Sequence, residues 1–87
     1  LRKIFHNCSM EEVRNWMRIL ETYFNSDGSI NQTANRLFMH KNTLQYKLKK
    51  LKDSTGYDVR LPSNGAVFYM AMLFFREVNN DMISFND

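Results

Sequence analysis

Between Ser29 and Lys52 two helical patterns are separated by only two or three residues, and a break that short dictates how the chain must turn. Ile30, Thr33, Ala34 and Leu37 recur at helical spacing, and the pattern stops near Phe38 or Met39, after about two turns. Leu44, Leu48 and Leu51 then resume it on a longer stripe running to about Thr55. His40 or Asn42 is placed to cap this second helix. Helices joined by so tight a turn cross closely. Ala34 is the small residue that lets their backbones approach, with Leu37, Leu44 and Leu48 as the wedge that fixes the angle.

The flanking sequence reads as further helix. Ser9-Met10-Glu11-Glu12 has capping-box spacing, and Val13, Trp16, Met17, Leu20 and Phe24 follow on one stripe, which predicts a helix over roughly 10–25. Asp27-Gly28 ends it, with Gly28 expected in the left-handed region. Ser29 and Gln32 repeat the capping-box pattern, and Gly56 closes the helix that ends near Thr55. Residues 57–61 form a connector from which Val59 or Leu61 tucks against the core. Pro62-Ser63 opens a last helix over about 64–79, with Ser63 as its N-cap. Residues 2–7 read as the end of an earlier helix, and 80–87 as a tail expected to fray. No period-2 alternation suggests a sheet. The expectation is an all-α domain of four to five helices over 1–79, with the close helix pair at about 29–55.

Eighty-seven residues suit one small core. The chain opens on Leu1 rather than Met, so a fragment of something longer is expected. Cys8 is the only cysteine, which excludes a disulfide within the chain and points to a reducing, cytoplasmic setting. The longest apolar stretch, Ala66 to Phe75, is shorter than the about 18 residues a membrane span requires. No signal peptide is expected from the opening residues.

Charge gives the close helix pair a chemistry. Residues 29–52 hold six Lys or Arg and no acid, whereas the other 63 residues hold six basic residues and all nine acids of a chain with net charge +3. That distribution is the electrostatic footprint of a nucleic-acid-binding helix-turn-helix. With the leucines turned inward, Asn42, Gln45, Tyr46 and Lys49 face outward, and Lys41 and Thr43 sit at the exposed first turn. Asn and Gln make paired bonds to adenine, Lys bonds guanine acceptors, and the Thr methyl packs on thymine. These six are the expected base contacts of a recognition helix over about 41–55. Asn31, Gln32 and His40 lie at helix starts suited to a phosphate, and Lys47, Lys50 and Lys52 supply general attraction to the DNA backbone.

The same residues resemble the C-terminal helix-turn-helix of the PucR/CdaR-type bacterial regulators, which control purine catabolism and the use of sugar diacids. The resemblance rests on Gly28-Ser29, Thr33-Ala34, Leu37, His40-Lys41-Asn42-Thr43-Leu44, Tyr46-Lys47-Leu48, Lys50-Leu51 and Thr55-Gly56, and covers about residues 20–78. It implies a Fis-like helical fold and sequence-specific binding to double-stranded DNA, usually as a homodimer. It also implies control by an upstream sensory region that this sequence does not contain. Met39 stands where Val is usual, and Lys41, Lys47 and Lys50 stand for Arg, which gives up the two-pronged guanidinium fork.

Other functions find less support. His6, Cys8 and His40 do not make a set of three or four convergent ligands, so no metal is expected. No nucleophile, base and orienting acid show recognisable spacing, and no glycine-rich phosphate loop occurs, so neither catalysis nor a cofactor is expected. No aromatic pair at strand spacing suggests RNA stacking. The alternative function is a helical protein-interaction module with a basic face and an aromatic docking helix. Asn42, Thr43 and Gln45 among the lysines favour DNA, because a purely electrostatic face does not need them. Residues 67–75 are apolar almost all the way round, and such a helix is either central to its domain or covered by a subunit or neighbouring domain. Trp16 and Tyr23 read as core.

Overall fold

A computed structural model describes Phe5 and residues 8–86, with side chains of the last helix described through Val78. The expected helix end at 2–7 therefore lies outside the described residues apart from Phe5, which is helical and buried. Four helices follow: α1 (Met10–Asn25), α2 (Ile30–Arg36), α3 (Lys41–Thr55) and α4 (Pro62–Asn86). No strand occurs among the described residues.

Each helix begins and ends for a local chemical reason. At α1 the Ser9 hydroxyl accepts from the Glu12 amide at 3.2 Å, and the Glu12 carboxylate accepts from the Ser9 amide at 3.3 Å, which completes the expected capping box. Ser29 caps α2 by accepting from the Gln32 amide at 3.2 Å. Gly56, at φ +81°, ends α3 and donates its amide to the Lys52 carbonyl. The end of α1 differs from expectation in one detail. The Asp27 amide donates to the Phe24 carbonyl and the Gly28 amide to the Tyr23 carbonyl, a Schellman pair with Asp27 as its first left-handed residue at φ +53°. Gly28, also left-handed, follows it.

The start of α4 corrects the sequence reading. Ser63 is not an N-cap, because the helix already begins at Pro62. Proline suits a first helical position, where its missing amide hydrogen has no partner to lose. At its other end α4 runs through Asn86, past the expected boundary at 79. Val59 is buried and Leu61 exposed, so the open choice between them resolves to Val59.

One core joins the helices. Val13, Met17, Leu20 and Tyr23 of α1 meet Ala34, the three leucines of α3, Val59, and Phe68, Met72 and Phe75 of α4, with Phe5 against them. Helix α1 packs on both α2 and α4, and α2 packs on α3. Phe68 is fully enclosed, with Phe5 at 6.5 Å between ring centroids and Tyr57 edge-on at 6.3 Å. Trp16 and Phe24 are half-buried at the margin, while Tyr23 reaches the core as expected.

The connector is held by polar chemistry that the sequence did not suggest. The buried Asp58 carboxylate accepts from the Arg60 amide at 3.0 Å, from Nε at 2.9 Å and from Nη2 at 3.1 Å. The Asn64 side chain accepts from the Asp58 amide at 3.1 Å. The Arg60 guanidinium bonded to Asp58 holds that carboxyl below the usual carboxylate range, against the opposing effect of burial. Gly65 makes room for this loop, since a Cβ there would lie 2.9 Å from the Val59 carbonyl oxygen. Alanine in a helix interior normally gains about 1 kcal/mol over glycine. Here the clash is with backbone, so Gly65→Ala is expected to destabilise the protein by about 1 kcal/mol or more in denaturant unfolding.

Candidate nucleic-acid interface

Helix α2 ends in a turn that aims α3 outward. The Phe38 amide donates to the Asn35 carbonyl at 3.2 Å and the Met39 amide to the Ala34 carbonyl at 2.9 Å, a second Schellman pair. Phe38 occupies the left-handed position at φ +56°. Ala34 is buried against α3, with Leu44 and Leu48 fully enclosed behind it, and half-buried Leu37 and Met39 close the edges. Thr33 is also enclosed, and its hydroxyl donates to the Ser29 carbonyl at 2.6 Å, so its burial leaves no polar group unpaired.

His40 is the N-cap of α3: its Nδ1 accepts from the Asn42 amide at 3.0 Å. With Nδ1 used as acceptor, Nε2 is left as the ring's donor, of the kind that binds a phosphate oxygen. Of the residues expected to contact bases, Lys41, Asn42, Thr43, Gln45, Tyr46 and Lys49 are all exposed on α3. Of those expected at phosphates, Asn31, Gln32, His40, Lys50 and Lys52 are exposed. Lys47 differs: it is half-buried and turned toward α1, where it lines a shallow cleft with Asn15, Arg18, Ile19, Leu37 and Met39. The Lys50 ammonium lies 5.5 Å from the Tyr46 ring centroid, one helical turn away.

A second cleft joins the two helices of the motif. Asn31, Asn35, Met39, His40 and Lys41 line it over Ala34, so the start of α2 and the start of α3 open onto one hollow. Asn35 and Arg18 were not among the expected site residues. Asn35 lies one turn beyond Asn31 on the same helix face, a spacing visible in the sequence. Arg18 sits on α1, and only packing brings it beside Lys47. Arg36, counted with the basic segment, is occupied internally: its Nη1 donates to the Asn25 carbonyl at 3.2 Å and to the buried Ser26 hydroxyl at 3.1 Å.

Two helices crossing at a tight turn, the second displaying amides and lysines from an exposed face, define a helix-turn-helix domain. The family model for the PucR C-terminal helix-turn-helix domain matches residues 16–74, and the chain belongs to that family. It is thus a DNA-binding regulatory output domain. Among curated relatives, it is 38% identical over 52 residues to the uncharacterized protein Rv2242 of Mycobacterium tuberculosis, covering 60% of this chain and 13% of that protein. It is 34% identical over 58 residues to the uncharacterized protein YsfB of Bacillus subtilis, covering 67% of this chain and 16% of the relative. A leucine-rich protein of Streptococcus dysgalactiae subsp. equisimilis is 33% identical over 55 residues, covering 63% and 20%. The chain thus matches only a small part of the length of each. No solved structure matches it. Among the described residues, no helix is long and apolar enough to cross a membrane.

Ala34 is buried where α2 packs on α3. Ala34→Leu is expected to cost about 1–3 kcal/mol in thermal or denaturant unfolding, since the added carbons must push α2 off α3.

Proposed function

We propose that α3 is the recognition helix of a bacterial transcriptional regulator, entering the major groove of its operator N-terminus first. The observation that carries this reading is the outer face of α3. Asn42, Gln45, Tyr46 and Lys49 project opposite the buried leucines, with Lys41 and Thr43 at the leading turn. Those side chains meet base edges, while Asn31, Gln32 and His40 anchor phosphates from the two helix starts. Lys50 and Lys52 attract the DNA backbone, and Lys47 reaches it only from the α1 side of the helix. The reading implies a cytoplasmic protein under the control of a sensory region upstream.

DNA half-sites lie about one helical turn apart, roughly 34 Å, and ask for two reading helices related by a two-fold axis. Helix α4 supports a homodimer. Its inner face, Phe68, Ala71, Met72 and Phe75, is buried, whereas Tyr69, Met70, Leu73, Phe74 and Val78 are exposed on the outer side. A two-fold axis brings the same patch of two copies together, so this apolar face of α4 is the surface through which a second copy would be met.

Two measurements test these roles. Titration of the protein against the tightest duplex it selects from a randomised pool should give a plot of log affinity against log salt with a slope of roughly −3 to −4.5 per monomer. In the same assay Asn42→Ala and Gln45→Ala should each reduce discrimination against random DNA by about 1–3 kcal/mol, while Lys50→Ala weakens both duplexes alike. Unchanged discrimination in the first two variants refutes the reading face; tight capture of an acidic protein, with only weak and unspecific DNA binding, favours an interaction module. Sedimentation of the Met70→Glu/Phe74→Glu double variant should show monomer where the parent is dimeric, and an undiminished dimer refutes the α4 contact.

A further inference from the structure

Three helices end on a left-handed residue: Asp27 after α1, Phe38 after α2 and Gly56 after α3. Glycine has no Cβ to clash there and the short polar side chain of Asp can hydrogen-bond locally, but phenylalanine adopts the conformation at a cost, with its Cβ close to the following carbonyl oxygen. Phe38 gains no packing in return. Its side chain is 92% exposed, the largest exposure among the exposed large apolar residues of the described chain. Neither folding nor solubility accounts for a strained, solvated aromatic ring at a turn where glycine would serve better.

The position of the ring supplies a reason. Phe38 lies two residues before the His40 cap and three before Lys41, at the entrance to the first turn of α3. The N-terminal residues of a recognition helix contact base edges in the major groove, and Phe38 lies in the turn that leads into them. The apolar features there are the thymine methyl in the groove and the deoxyribose at its wall. We propose that Phe38 is a DNA-contacting residue, held outward by its left-handed backbone so that its ring packs on apolar DNA surface beside the bases read by α3. This assignment rests on the α3 reading above.

Removing the ring should move stability and binding in opposite directions. Phe38→Gly suits the left-handed site, so the intact protein should melt at a higher temperature. The same variant should bind the tightest pool-selected duplex roughly fivefold or more weakly, the scale of one lost apolar or base contact. Phe38→Asn, which also tolerates the conformation, should retain the fold and show the same loss. A duplex with deoxyuridine in place of thymine separates the two surfaces: a penalty in the parent but not in Phe38→Gly places the ring on a thymine methyl, whereas an equal penalty in both places it on deoxyribose. Full-strength binding by both variants overturns the proposal while leaving the α3 reading intact. Failure of the parent to select or bind any duplex removes that reading, and this one with it.

Discussion

The close crossing of α2 and α3 is the constraint from which the rest of the molecule follows. A seven-residue helix cannot hold itself together in water, so α2 persists only because Thr33 and Ala34 are buried against its neighbours. The small side chain of Ala34 and the Schellman bonds from Phe38 and Met39 determine how the chain reverses, and the leucines of α3 then have one direction in which to bury. Once they do, Asn42, Gln45 and every lysine of α3 except Lys47 face solvent. Helix α1 packs on α2 and α4, and all four helices contribute to the one core that holds those leucines.

The electrostatics are more differentiated than a count of basic residues implies. Arg36 donates to a neutral carbonyl and hydroxyl at the end of α1 and keeps its positive charge, whereas Arg60 is ion-paired with Asp58. Lys47 shares a cleft with Arg18, and Lys50 lies beside the Tyr46 ring. Lys41, Lys49, Lys50 and Lys52 are exposed charges around the outer face. The basic segment 29–52 thus divides into Arg36 tied to the end of α1, a flank shared with α1 at Lys47, and an exposed working surface.

Much of this was legible along the chain. The capping box at Ser9, the stripe of α1, the span of α3 and the closing Gly56 are local signals, governed by bonds between residues three to five apart. Helix α4 was less legible for two reasons. Ser63 has the chemistry of a cap, yet Pro62 suits a first helical turn equally well, and only the folded connector decides between them. The run from Val67 to Phe75 also carries too many apolar residues for periodicity to reveal a face. Packing divides it, with Phe68, Met72 and Phe75 enclosed and Met70 and Phe74 left exposed.

By itself, the sequence determined the helical class, the turn between two close helices, the inward leucines and the concentration of positive charge, because each depends on side-chain type and short spacing. The tertiary structure decided what lies across helices: Arg18 beside Lys47, Asn35 in the hollow with His40, the Asp58–Arg60 clamp, the need for glycine at 65, and the two faces of α4. It also decided the exposure of Phe38, whose apolar character alone points inward. The physical reason is common to all of these. Burial and pairing depend on distances between segments remote in sequence, and those distances exist only after the core has closed.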